Sequence, residues 1–598
     1  MQEGAPSLSR RSLAGQGGDF DFDMSTRCAT SKSPPCRKER GEDGAPTSSR
    51  RPLEESMPND HAPRRDFLRI SGASLAGAAL HSRPAEAQTL PPAPTASTLD
   101  VKFFGATGDG KTIDTPAINR AIEAAAAAGG GTVRFPSGNY LCYSIRLKSN
   151  VALNLDQNAV IIAAQPAGEP TTNPNDSTSG SGAYDLAEPN TPWDAYQDYG
   201  HNHWHNSLLW GEGLENISIT GPGLLWGRGL SRGWGAGPVA EHAGVANKTI
   251  SLKNCRNVTL RDFSILKGGH FGVLATGVDN FTIDNLKIDT DRDGIDIDCC
   301  RNVRVSNCSV NSPWDDAICP KSSFALGYAR ATENVTITNC YVTGIYKLGT
   351  LLDGTFQRFD AADKHNANGR IKFGTESNGG FKNITVSNCI FEGCQGLALE
   401  TVDGALLEDI AISNITMRDI TSAPIFLRLG SRMRGPAGVP VGSLRRVLIS
   451  NVVCSNSESS LGSILSGIPG HPIEDIQLND IYIQHRGGGT LEAAAIHPPE
   501  LENKYPEPNM FGPMPSHGFF LRHVKNISVS NVEISSLQED TRPAFVLEDV
   551  QSADFFRIRT PRVANVPTFA LTNVTDFSVA RSKRVADTKL DHADQKKL

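Results

Sequence analysis

A solenoid of stacked β-strand coils is the all-β fold class this sequence predicts: a right-handed parallel β-helix with an N-terminal capping helix. Three observations carry the prediction. A short phrase recurs along the chain: ENISITG, RNVTLRD, DNFTIDN, RNVRVSN, ENVTITN, KNITVSN, EDIAISN, RRVLISN, EDIQLND and KNISVSN. Each copy alternates apolar and polar residues at period two and then reaches Asn or Asp at a turn. The residue that opens each strand steps from Asn257 to Asn280 to Asn302 in 23 and 22 residues, then more widely to Asn334, Asn383 and Asp409. A strand repeat of that length fits stacked coils, whereas a propeller blade takes roughly 40–45 residues. Finally, 598 residues exceed what one compact core holds, while 57 glycines suit a turn-rich elongated chain.

In chain order, residues 1–56 are polar, rich in Arg, Ser and Gly and free of periodicity, and read as a disordered extension or a mis-set start. Met57 stands close before PRRDFLRISGASLAGAAL, where Arg64 and Arg65 precede Phe67, Leu68 and a moderately apolar run ending at Pro84-Ala85-Glu86-Ala87. That order reads as a twin-arginine export signal over residues 57–87 rather than as an amphipathic helix. It makes the export machinery a partner and the bacterial periplasm or exterior the destination. Residues 88–98 form a linker, 99–585 the catalytic coil domain and 586–598 a loose polar tail. The coil domain opens on a Gly-rich turn and an Ala-rich helix, Pro116 to Ala128, stopped by three glycines and followed by the strand and turn VRFPSGNY. Three insertions interrupt the coils: GEPTTNPNDSTSGSGAYDLAEPNTPWDAYQDYG, LLDGTFQRFDAADKHNAN and RGGGTLEAAAIHPPELENKYPEPNMFGPMPSHG. Solenoids carry such insertions on the rim of the binding face.

The acids sit on the repeat. Asp293 lies 22 residues before Asp315 and 23 before Asp316, the steps of the Asn ladder, so one coil separates them on one face. Neighbouring strands are ~4.8 Å apart, which gathers three carboxylates into one patch. Such a patch holds a metal, shares protons or performs acid–base chemistry.

The opening FGATGDGKT…AINRAIEAAAAAGGGTVRFPSGNYL resembles the N-terminal segment of the pectate-lyase-like β-helix superfamily. TGPGLLWGRG, DRDGIDI and WDDAICPKS are similar to successive motifs of glycoside hydrolase family 28, the polygalacturonases, over roughly Leu99 to Asn531. The resemblance implies inverting hydrolysis of α-linked galacturonic acid in a pectin-type polysaccharide. Asp316 would be the general acid and Asp293 and Asp315 the bases, with carboxylates ~6.5–9.5 Å apart to admit a water. Trp314, Lys321, Arg370, Lys372, Glu376, Glu400 and Arg428 are the candidate substrate-binding residues. The chain departs from the family pattern in places. Asp291-Arg292 replace Asn-Thr, Trp314 replaces Gly, and Gly369 falls where the family has His. GRIKFG supplies the literal Arg-Ile-Lys string at Arg370 to Lys372, while the order of motifs puts Ala398 and Glu400 on the family's Arg and Lys. An acid at Glu400 opposes a galacturonate carboxylate, which admits a side-chain linkage or a rhamnogalacturonan backbone.

Other features read more plainly. His201, His203 and His205 alternate in HNHWH and lack a clear fourth ligand, which favours a cleft-edge cluster over a metal site. Asp296 and Asp298 either extend the acidic patch or face solvent, the second reading being slightly favoured. Arg428, Arg432 and Arg434 read equally as a solvated loop or as a basic rim for a uronate. Cys308, Cys340 and Cys389, each after Asn, suggest stacked core thiols. No cofactor, metal or nucleic acid is expected, and the net charge of −7 disfavours the last. The mature chain is expected to be a monomer outside the membrane. A calcium-dependent lyase on the same fold and a non-catalytic glycan-binding β-helix are the competing readings.

Overall fold

The computed structural model describes residues 98–598 apart from 168–181, 199, 234–240, 361, 364–366 and 459. The expected extension, export signal and nearly all of the linker lie outside these residues.

Each regular coil has three strands. Arg256–Arg261, Ser264–Leu266 and Phe271–Thr276 form one coil; Asp279–Asp284, Lys287–Asp289 and Asp293–Asp298 form the next; Arg301–Ser306, Ser309–Asn311 and Ile318–Lys321 form a third. Successive coils pair in parallel and in register, as Val258↔Phe281, Phe281↔Val303 and Val303↔Val335. Alternation decides what faces in: in Arg301–Ser306 the buried residues are Val303 and Val305, and their neighbours are exposed or half-buried. Further along, the first two faces merge into long bent strands such as Phe381–Glu392 and Leu406–Arg418.

The Asn ladder is where those strands begin. Asn257, Asn280, Asn302, Asn334 and Asn383 all have φ between 51° and 60°, a left-handed conformation that Asn tolerates better than most residues. Each amide donates to the Asn one coil before, Asn280 to Asn257 at 3.0 Å and Asn383 to Asn334 at 2.7 Å. The repeat therefore marks a corner that every coil turns in the same way.

The helix Thr115–Ala127 starts with Pro near its N-terminus and buries Ala117, Ile118, Ala121, Ile122 and Ala125, one face at helical spacing. Asn119 fastens it to the coils, accepting from the Arg146 amide at 3.0 Å and donating to the Ser144 carbonyl at 3.1 Å. The residues expected to form a loose tail behave otherwise. Thr588–Lys597 is a strand, antiparallel to Phe569–Ala580. Its polar composition suits an outer edge, with Leu590 and Ala593 opposite Phe577 and Val574. The ten described cysteines are buried and form no disulfide. No described helix is long and apolar enough to cross a membrane.

The third face carries the acids. It runs from Ile145–Arg146 through Leu209–Glu212, Lys248–Lys253, Phe271–Thr276, Asp293–Asp298 and Ile318–Lys321. A bridge from Ile318 to Ile371 continues it to Lys372–Phe373, Leu397–Thr401 and Ile425–Leu429. Unlike the other faces it is buried on both sides, as all six residues of Asp293–Asp298 are. Ile295 and Ile297 point to the core, while His201 and Lys321 lie against Asp296 and Ser323 against Asp298.

Candidate active site

Ile295 pairs with Ile318, a step of 23 residues, so Asp293 lies directly under Asp316. The Gly294 amide donates to the Asp316 carbonyl at 3.0 Å, and Asp315 sits in the turn just before. Asp293, Asp315 and Asp316 each offer an oxygen within 4.8 Å of the others. The coil spacing thus brings together the three acids read from the sequence. They stand closer than the ~6.5–9.5 Å expected of an inverting pair.

Their surroundings differ sharply. Asp316 is fully buried between two cations, Arg370 Nε at 2.9 Å and Lys372 Nζ at 2.7 Å. Burial alone would raise its pKa, but Lys372 and Arg370 outweigh it and hold the carboxyl well below the usual range. Asp293 has no such partner, since its nearest cation is Lys321 Nζ at 3.9 Å. Burial, with Asp296 and Asp315 beside it, pushes its carboxyl well above the ordinary value. Asp315, with 19% of its side chain exposed, is the most accessible of the three and pairs with Arg292 at 2.6 Å. Burial and like charge therefore favour the proton on Asp293, while Arg370 and Lys372 favour the ionised form of Asp316. Two cations on its carboxylate speak against the expected role of Asp316 as proton donor. Residue spacing could not show that Arg370 and Lys372 both close on that one carboxylate.

The literal Arg-Ile-Lys string sits one coil beyond the acids, and Lys372 pairs in register with Ala398. Order along the chain and proximity to the acids therefore part company. Glu400 lies a further coil on, wholly buried, with no hydrogen-bond partner for either oxygen. Burial pushes it up to about 8, against the pull of Lys372 and Arg370. Gly369, where the family has His, has φ +48°, and a Cβ there would meet the Thr343 carbonyl oxygen at 2.1 Å. No side chain fits.

An imidazole reaches the cluster by another route. His201, from the first insertion, is 2% exposed and places Nε2 3.3 Å from Asp296. Asp296 and Asp298, expected to face solvent, are both fully buried. Asp298 accepts from Ser323 Oγ at 2.6 Å, while Asp296 joins the acidic patch. Lys321 is its hub, 3.7 Å from Asp296 and 3.5 Å from Glu376. Burial disfavours charge on Glu376, yet Lys321 and His201 hold its carboxyl well below the usual range.

Of the seven candidate substrate contacts, only Trp314 keeps an accessible surface beside the acids. It lies under Arg232, whose guanidinium is 5.0 Å from the ring centre. Lys321, Arg370, Lys372, Glu376 and Glu400 are buried within the charge network. Arg428 is no basic rim: it is 1% exposed and donates to Ser466 Oγ at 2.8 Å and the Glu500 carbonyl at 2.9 Å. Arg432 and Arg434 are likewise engaged, with Asp403 at 2.5 Å and Asp198 at 2.6 Å. The sequence reading missed Tyr505 and Glu507, which the third insertion lays beside Arg370 and Lys372. Their only sequence signal was that solenoid insertions gather at the binding face.

Comparison with known proteins follows this geometry. Residues 98–193 match the family model "Rhamnogalacturonase A/epimerase, pectate lyase-like", and residues 248–357 match "Right handed beta helix region". A probable polygalacturonase of Vitis vinifera is 23% identical over 405 residues, 64% of this chain and 73% of its own. Two solved structures share the fold. The exopolygalacturonase of Thermotoga maritima has a TM-score of 0.51 at 17% identity, covering 84% of this chain and 96% of that one. The family 28 exopolygalacturonase of Yersinia enterocolitica has a TM-score of 0.53 at 18% identity, covering 76% and 78%. In its coils the chain is thus similar to pectate-lyase-like and right-handed β-helix proteins over the matched residues, and over a longer span to polygalacturonases.

Proposed function

We propose that the protein is an exported glycoside hydrolase acting on uronic-acid-containing, pectin-type polysaccharide. One observation carries the reading: three carboxylates on adjacent coils, one held ionised by two cations and another held protonated by burial and like charge. An acid and a base side by side at the same pH are what glycosidic hydrolysis requires. The proton rests on Asp293, and Asp315, the member open to the cleft, relays it to the departing glycosidic oxygen. Asp316 takes a proton from the water that attacks the anomeric carbon. The bond to the leaving sugar breaks as the bond to water forms, and the site resets as Asp316 releases its proton to solvent and Asp293 takes one up. The stereochemistry is inverting, as the resemblance implies; the close spacing of the acids makes the anomer of the first product the sharpest check on it.

Reducing-end release from oligogalacturonides and rhamnogalacturonan oligosaccharides tests the reading, with Asp315→Asn and Asp316→Asn beside the parent. The parent should release sugar and each variant should lose about 10²–10⁴ in kcat, the weight of general acid or base catalysis. Proton NMR of fresh product should show the inverted anomer. A product with the ultraviolet absorbance of an unsaturated sugar would instead mean elimination, and silence on all substrates would remove the hydrolase reading. Export is tested by replacing Arg64 and Arg65 with Lys, which should retain the protein inside the cell.

A further inference from the structure

The insertion over residues 486–518 brings two side chains to the site that the mechanism above does not use, Tyr505 and Glu507. Its base is fastened by two buried arginines. Arg428 donates to the Glu500 and Leu501 carbonyls at 2.9 and 3.3 Å, and Arg522 to those of Pro498 and Pro499 at 2.6 and 2.8 Å. Its tip covers the cations behind Asp316. Glu507 Oε1 is 2.5 Å from Arg370 and 3.9 Å from Lys372. The Tyr505 ring centre lies 5.8 Å from Lys372 Nζ and 5.7 Å from the Arg432 guanidinium.

Exposure shows what a ligand would meet there. Arg370 and Lys372 are 1% and 3% exposed, whereas Tyr505 is 43% exposed and the Glu507 side chain 23%. The reachable surface is a phenol ring and a carboxylate, not a cation. A uronate seeks a charge-assisted hydrogen bond from Arg or Lys. Here both cations are already paired, and an incoming carboxylate meets Glu507 first. A neutral sugar fits better: its C–H face lies on an aromatic ring, and its hydroxyls donate to a carboxylate.

We propose that Tyr505 and Glu507 form a subsite for an uncharged sugar beside the acid cluster. The preferred substrate is then a pectic chain in which a neutral sugar accompanies the uronic acid, rather than a chain of uronic acid alone. The inference rests on the hydrolase reading above and names its substrate class.

The test compares kcat/KM of the full-length protein on two oligosaccharides, one of galacturonic acid alone and one alternating it with a neutral deoxyhexose. The parent should favour the alternating one. Glu507→Gln should move the ratio toward the pure galacturonide by about fivefold or more, chiefly through KM, the weight of one like charge at 4 Å in water. Tyr505→Ala should raise KM for the alternating substrate by up to about tenfold, one lost ring contact, and Tyr505→Phe should restore it. Thermal unfolding of each variant separates these effects from misfolding, and the tyrosine pair stands as a test if the glutamate variant does not fold. A parent that prefers the pure galacturonide, a ratio unmoved by Glu507→Gln, or an unchanged KM in Tyr505→Ala overturns the subsite and leaves the hydrolase reading standing. No hydrolysis of either substrate overturns both.

Discussion

Replacing Asp296 with Asn tests where the reacting proton resides. Asp296 is fully buried and offers an oxygen within 4.8 Å of Asp293. After burial itself, its charge is the strongest influence keeping Asp293 protonated. Two unit charges at that distance and an effective dielectric near 20 interact by about 3.5 kcal/mol. One pKa unit corresponds to about 1.4 kcal/mol, which sets a ceiling of about 2.5 units. Lys321, 3.7 Å from Asp296, already offsets part of that charge. The expected change is therefore about one to two units. Its sign is fixed: with Asp296 neutral, Asp293 ionises at lower pH. The reaction needs Asp293 protonated, so the basic limb of kcat/KM should move to lower pH by that amount. The acid limb, governed by Asp316, should stay. Initial rates of reducing-end release over roughly pH 4 to 9, with thermal unfolding at each pH, give the basic limb, the acid limb lying below that range. A basic limb that stays in place or moves upward would refute Asp293 as the proton's resting place.

Glu400→Gln should separate from the parent by pH. The Glu400 carboxyl, raised from 4.5 to about 8, is protonated in the folded state and ionised in the unfolded chain between those values. The parent therefore loses stability as pH climbs through that window, and the amide does not. Urea unfolding should show the two alike near pH 4 and the variant ahead by on the order of 3–5 kcal/mol near pH 8. In the ladder, Asn280 has φ 53° and hydrogen bonds to Asn257 and Asn302. Asn280→Ala should cost about 2–3 kcal/mol in thermal or urea unfolding, and Asn280→Gly should recover the backbone part. Arg428→Met removes two of the hydrogen bonds that fasten the third insertion. Proteolysis between 486 and 518 should quicken and activity should fall, while the unfolding transition of the coils moves little.

Repetition explains how much of this was legible in the sequence. The ladder asparagines, the alternating valines and the Ala-rich helix each declare a local geometry, and stacking turns one local geometry into the fold. The same arithmetic placed Asp293 beneath the Asp315–Asp316 pair. The charge state of those acids was not legible, because it comes from groups that the coil period does not relate. Arg370 reaches Asp316 across 54 residues and Glu507 across 137. His201 enters from an insertion of no regular pattern. Asp296 and Asp298 alternate like exposed residues, but His201 and Lys321 lie against the one and Ser323 against the other. The strand Thr588–Lys597 escaped notice because an edge strand has only one neighbour to satisfy, so polar residues there do not mark a loose end.

That reversed strand has a consequence for how the molecule keeps its own company. Every other rung of the stack offers its successor a ready template, and a bare rung would accept any chain of matching pitch, including another copy of this one. Thr588–Lys597 runs against the grain on the Phe569–Ala580 rung and shows the outside a mixed row containing Lys589, Asp591, Asp594, Lys596 and Lys597. A second solenoid docking there would meet the wrong polarity and an unsuitable surface. The reversed strand thereby disfavours growth of the stack along its axis by other copies of the same solenoid.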